Sequence, residues 1–101
     1  MIPFIPDYAT NNGHMFYLVC SSIQQRTLLI EYLKNNEIHA VFHYQSLHKS
    51  PYYKSKHDNR EIPLSDKYTD CLVRLPLFYE LSITDLNRII DTIKEFFLKY
   101  E

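Results

Sequence analysis

Five histidines are the first candidates for chemistry in this 101-residue chain: His14, His39, His43, His48 and His57. Imidazole binds transition metals and moves protons near neutral pH. His39 and His43 fall on one face of a strand by its two-residue period, and His48 follows five residues on. That spacing fits no standard zinc signature, so no metal site is expected. Cys20 and Cys71 stand far apart, form no Cys-x-x-Cys pair and lie in apolar stretches that raise a thiol pKa. They are expected as reduced, partly buried thiols, neither nucleophiles nor a disulfide framework. The carboxylates are scattered and offer no glycosidase-like pair.

A second constellation is Tyr52 and Tyr53 among Lys49, Lys54, Lys56 and Arg60. Such a stretch can stack on a base and neutralise phosphate, or it can be a solvated loop that uses its tyrosines as lids. Gly13 is the single glycine, where average usage of roughly 7% predicts about seven. Gly-rich phosphate cradles are therefore excluded, and a phosphate must be held by side chains. Eleven Lys and Arg against 12 Asp and Glu leave a net charge of −1, which lacks the footprint of a duplex binder. No nucleic-acid partner is expected. No apolar run approaches about 18 residues and no basic n-region opens the chain, so neither a membrane span nor a secretory signal is expected. The expected location is cytoplasmic.

The elements that position these residues follow from periodicity. Residues 1–13, with Pro3, Pro6 and Asn11-Asn12-Gly13, read as an extended lead-in closed by a turn. His14 to Cys20 form a first strand apolar on both faces. Ser22 with Gln25 is a capping-box signature ahead of the helically spaced Ile23, Leu29, Ile30, Tyr32 and Leu33. Asn35-Asn36 ends that helix, and Ile38 to Tyr44 alternate as a second strand. Residues 45–64 read as a long loop, a length that is usually functional or disordered. Ser65 and Asp66 are expected to cap a short helical turn. Leu72 to Phe78 follow as a third strand, short or at an edge because Pro76 has no ladder donor. Ser82 caps a last helix in which Ile83, Leu86, Ile90, Ile93, Phe97 and Tyr100 recur at helical steps and are expected to lie on the sheet.

This order predicts one α+β domain: a small three-stranded, mostly antiparallel sheet with helices on one face. Three strands and two main helices do not cover all the apolar surface, including Phe4 and Ile5. Part of it is expected to meet other protein.

Three strings carry a resemblance to a known family: Asn12-Gly13-His14-Met15-Phe16-Tyr17-Leu18, then Ala40-Val41-Phe42-His43-Tyr44 with Leu47-His48, then Leu75-Pro76-Leu77-Phe78-Tyr79 with Leu81-Ser82. In order and separation they resemble the C-terminal part of the DegT-type sugar aminotransferases, from about Ile5 to about Phe97. The resemblance implies the small domain of fold type I aminotransferases over residues 1–101. It also implies a dimeric pyridoxal-phosphate enzyme that moves an amino group from glutamate to a dTDP-4-keto-6-deoxyhexose in surface polysaccharide biosynthesis. In that family a large domain supplies the lysine that bonds the cofactor. Lys34, Lys49, Lys54, Lys56, Lys67, Lys94 and Lys99 do not stand in its motif, so no catalytic residue and no bound pyridoxal phosphate are expected on this chain alone. What the resemblance does assign is substrate contact: Tyr44, His48 and His43, approaching the nucleotide-sugar site. Ser46 replaces the proline usual before Leu-His, which predicts a less rigid backbone there. The expected partners are a large aminotransferase domain or subunit, the nucleotide sugar, and further copies of the chain through the uncovered face. The alternative is a non-catalytic protein-binding or assembly module with the same fold.

Overall fold

The computed structural model describes residues 1–100. Its elements are β1 (Phe16–Val19), α1 (Ile23–Asn35), β2 (Val41–Phe42), a 3-10 turn (Leu47–Lys49), α2 (Pro63–Cys71), β3 (Leu72–Leu75) and α3 (Ile83–Lys99). The fold class is the expected one: α+β, with a three-stranded antiparallel sheet.

The strand order is β1-β3-β2, so of the two expectations β3 meets the first: it is short, at four residues, and central rather than at an edge. Proline does not prevent this because the strand ends at Leu75, and the missing donor of Pro76 falls just past the ladder. Leu18, Val73 and Phe42 lie in register on the face that meets the helices; Tyr17, Arg74 and Val41 lie in register on the other. Continuing the same register brings Cys20 opposite Cys71, whose carbonyl accepts from the Cys20 amide at 2.8 Å. Both thiols are free and fully buried, beyond the partial burial expected.

The second strand is shorter than the alternation of Ile38 to Tyr44 suggests, because Glu37 and Tyr44 take left-handed backbone on either side of it, with φ of 59° and 54°. Ile38 and Ala40 are still buried and serve the core without a ladder. Helix α1 starts as expected: Ser22 Oγ accepts from the Gln25 amide at 3.1 Å. Gln25 Oε1 reaches back to Ser21, accepting from its amide at 2.8 Å. At the other end the Ile38 amide donates to Leu33 and the Glu37 amide to Lys34, the paired closure of a Schellman motif with Glu37 in the left-handed position.

Helix α2 is longer than the capped turn expected and begins earlier. Pro63 occupies its first turn, where a missing amide proton costs nothing, so Ser65 and Asp66 lie inside the helix. Helix α3 keeps its Ser82 cap, which accepts from the Asp85 amide at 3.0 Å. Its buried face differs from the expected stripe. Ile89, Thr92 and Phe96 are buried, one residue and so about 100° around the helix from Ile90, Ile93 and Phe97. It packs chiefly on α1 and reaches the sheet only through the shared core of Leu29, Leu33, Ile38, Val73, Ile89 and Phe96. Ile83 (71% exposed), Leu86, Ile90 and Leu98 (82% exposed) are left facing outward.

Among the described residues no helix is long and apolar enough to cross a membrane.

Candidate functional site

The stretch from His43 to Lys49 turns sharply twice. Tyr44, left-handed just past β2, redirects the chain, and Ser46, at φ −58° and ψ 128°, leads it into the 3-10 turn. The geometry divides the three expected substrate residues. His43 and Tyr44 pair with each other, ring centroids 4.2 Å apart, at the end of β2. Tyr44 is 72% exposed. Burial pushes the His43 imidazole pKa down, aided by the nearby charges of Arg74 and His14. His43 Nδ1 is buried without a partner among the described residues. His48 lies apart from this pair, against α2 and the 50–60 segment.

There His48 Nε2 stands 3.1 Å from Asp66 Oδ1, and Lys49 Nζ reaches the same oxygen at 2.9 Å. The hydrogen bond from Lys49 holds the Asp66 carboxyl below the usual carboxylate range, with the charge of Lys49, His48 and a hydrogen bond from Ser46 adding to it. Ser46 is buried, and its hydroxyl meets Thr69 Oγ1 at 2.7 Å, Ser65 Oγ at 3.1 Å and Asp66 Oδ1 at 3.4 Å. One donor proton and two lone pairs satisfy all three contacts. Where proline is usual, the φ of Ser46 stays in the range proline imposes, and a buried hydroxyl clasp ties the turn to α2. Sequence reasoning missed Asp66, Thr69 and Ser65 in this role. The helical spacing of 65, 66 and 69 puts them on one side of α2, but nothing local in the sequence says that this side meets the 46–49 turn.

Two adjoining hollows open beside His48. One, of about 320 Å³, is lined by Leu47, His48, Tyr53, Lys56, His57 and Ile62, with Ser65 at its wall. The second, of about 480 Å³, shares His48 and His57 and adds Lys49, Lys54, Arg60 and Asp66 among its walls. The His48 and His57 rings lie 5.3 Å apart. His57 Nε2 is 3.0 Å from the Arg60 carbonyl. Arg60 is clamped bidentately by Asp58, which raises the guanidinium pKa and lowers that of the carboxyl. Lys56 sits 3.7 Å over the Tyr52 ring, and Tyr52 meets Tyr53 edge-on at 4.8 Å. With Lys49 and Arg60 already paired, Lys54 is the lysine of the second hollow without an ion-pair partner among the described residues. The walls suit a ligand that brings both hydroxyls and anionic oxygen rather than a bare polyphosphate.

A carbonyl cofactor needs a lysine amine held in an enclosed site. All seven lysines are exposed, and although Lys49, Lys54 and Lys56 border the two hollows, none is enclosed there, so the residues present offer no enclosed amine for pyridoxal phosphate. Among the described residues no three His, Cys, Asp or Glu gather as metal ligands do.

Residues 2–94 match the DegT/DnrJ/EryC1/StrS aminotransferase family. Among solved structures, the chain is 27% identical to Spr1654 of Streptococcus pneumoniae, assigned as a sugar aminotransferase and described in its PMP form. That likeness covers 85% of this chain and 22% of Spr1654, with a TM-score of 0.77. Spr1654 is also known in a PLP form. Two others share the fold at lower identity. The aminotransferase TlmJ from Streptoalloteichus hindustanus has 18% identity and a TM-score of 0.86, over 98% of this chain and 26% of that one. A DegT DnrJ EryC1 StrS aminotransferase from Brucella abortus has 24% and 0.80, over 94% and 25%. The chain thus spans about a quarter of the length of the structures it matches.

Proposed function

The chain belongs to the DegT/DnrJ/EryC1/StrS aminotransferase family, and on that premise we propose that it forms the C-terminal small-domain part of a nucleotide-sugar aminotransferase. Residues 1–101 form the substrate-side wall, while pyridoxal phosphate and the lysine that bonds it belong to the remaining three quarters of such an enzyme. When bound there, the cofactor supplies the electron sink for amino transfer. This chain's own residues bind and orient: Tyr44 and His43 at the sheet end, and His48 in the hollows beside α2. The reaction proposed is transfer from glutamate to a dTDP-4-keto-6-deoxyhexose. The product is of the dTDP-4-amino-4,6-dideoxygalactose type used in cytoplasmic steps of enterobacterial common antigen and lipopolysaccharide synthesis.

The observation that carries this reading is the likeness to a sugar aminotransferase along 85% of the chain but only 22% of the relative. Surface area supports it. A monomer of 12.2 kDa exposes about 6,000 Å² by the usual size scaling, whereas this chain exposes 8039 Å². The excess of roughly 2,000 Å² is more than the approximately 800 Å² each partner gives to a standard interface. Ile83, Leu86, Ile90 and Leu98 of α3 are among the apolar side chains on that surface, with Ile2, Phe4 and Ile5 of the lead-in.

The test is complementation. A related sugar aminotransferase truncated before its matching segment is mixed with this chain, pyridoxal phosphate, glutamate and the keto sugar, and amino-sugar formation is followed. Restored turnover is expected from the mixture and none from either part. Turnover by this chain alone overturns the reading. A stable complex with a protein unrelated to aminotransferases, and no restoration, favours a non-catalytic assembly module instead.

A further inference from the structure

The face of the sheet turned away from the helices carries an arginine at its centre. Arg74 of β3 stands there between Tyr17 of β1 and Val41 of β2. Two residues along each strand, the same register puts Met15, Pro76 and His39 in the row on one side of it, and Val19, Leu72 and His43 in the row on the other. None of these eight neighbours is acidic. The chain has four arginines, and three of them have partners: Arg26 donates to the Thr69 carbonyl, Arg60 to Asp58 and Arg88 to the Asn36 carbonyl. Arg74 is half-buried and has no ion-pair partner among the described residues. Its charge is felt nearby, since after burial it is Arg74, and then His14, that lowers the His43 imidazole pKa.

We propose that Arg74 is the centre of a binding site for a small oxyanion, the carboxylate or phosphate group of a ligand, with His14 and His39 as its flanking polar groups. A hollow of about 360 Å³ opens on this face, and Arg74, His14 and His39 line it together with the apolar Met15, Pro76 and Phe78. It shares no wall residue with the hollows beside α2, and the proposal does not depend on the role given to His48. A guanidinium cannot give up its charge, and its planar fork of donors matches two oxygens of a carboxylate or a phosphate. Apolar walls on three sides lower the local dielectric, which makes an unpaired cation costly and its attraction to an anion stronger than in open water. The strands hold the fork in place at the middle of the sheet, so little ordering remains to offset binding.

The experiment follows the histidine ring protons of the whole chain by NMR as inorganic phosphate or glutarate replaces chloride at fixed pH and ionic strength. A saturable shift of the His14 and His39 resonances is expected with at least one of the two anions. The tighter one names the source: phosphate assigns the site to a phosphoryl group, glutarate to a carboxylate. Arg74→Gln is expected to weaken the response about tenfold, the loss of one charge-assisted pair of hydrogen bonds. Lys94→Gln, which removes the same charge from the exposed surface of α3, is expected to leave it unchanged. Wild-type rings that shift with neither anion, or that shift without saturating, overturn the proposal whether or not a variant folds. So does a response that Arg74→Gln keeps, or that Lys94→Gln loses to the same extent; the guanidinium then serves contact with protein.

Discussion

Ser46 shows how much one hydroxyl can hold. Ser46→Ala removes the common partner of Thr69 and Ser65 from a buried place. A loss of about 1–2 kcal/mol in denaturant unfolding is expected. Ser46→Pro should cost less than Ala, since φ of −58° already suits proline and the Ser46 amide makes no hydrogen bond among the described residues. An equal loss in both variants would mean that the hydroxyl bonds alone matter. His43 gives a pH signature. Its folded pKa lies below the unfolded value, because burial disfavours the imidazolium and Arg74 and His14 add repulsion. The unfolded chain therefore binds the proton more readily, and stability falls as pH drops through about 6.5. The lowered carboxyls of Asp58 and Asp66 contribute stability lost only further down, as those groups protonate. Urea unfolding between about pH 7 and 5 should show this loss in the wild type, and His43→Phe should flatten it. A slope unchanged by the substitution would assign the effect elsewhere.

At the scale of the element, the ends of helices and the faces of strands decide what could be read in advance. Glu37 is the clearest case. It occupies the left-handed position closing α1, where glycine carries no Cβ penalty. Glu37→Gly is expected to raise stability by about 1 kcal/mol, seen as a higher melting temperature. A drop would show that the Glu37 side chain contributes more than its strain costs. The caps at Ser22 and Ser82 and the apolar run of β1 were legible because each is a local pattern that the local backbone satisfies by itself. The place of β3 at the centre, the face α3 buries and the start of α2 at Pro63 were not. Each depends on a non-local partner: β1 and β2 flanking one short strand, or α1 choosing between two apolar stripes about 100° apart. The site follows the same division. The string from His43 to His48 was visible as a motif, but Asp66 on a helix 18 residues further on gives no sign that it faces His48. Phe96 tests the α3 assignment. It is fully buried, stacked 4.9 Å from Tyr100 and tilted against Tyr32 at 5.6 Å. Phe96→Ala should cost about 3–5 kcal/mol, whereas Phe97→Ala, on the expected but partly exposed stripe, should cost clearly less.

The whole molecule is more open than its length requires. A compact 101-residue domain has a radius of gyration of about 13 Å; this chain has 15.7 Å and spans 48 × 35 × 23 Å. The first dozen residues contribute, since they run extended and are anchored mainly where Met1 and Val19 exchange backbone hydrogen bonds, at 2.8 and 3.0 Å. The outward face of α3 contributes one apolar patch, and the lead-in, with Ile2 and Phe4, another. Ile83 and Leu98 are the most exposed large apolar side chains on that helix, and neither belongs to the core cluster. A surface of this kind, with nothing packed on it, drives association of like molecules at high concentration. The 101-residue chain is therefore expected to self-associate reversibly in sedimentation experiments. Replacing both Ile83 and Leu98 by lysine should shift it to monomer while leaving the unfolding free energy within about 0.5 kcal/mol, as exposed positions allow. The same double variant should fail to complement the truncated aminotransferase, because the face that sticks to itself is the one the larger part would cover. A variant that becomes monomeric yet complements fully would separate the two surfaces and move the contact with the larger part to the open sheet face of Tyr17, Val41 and Arg74.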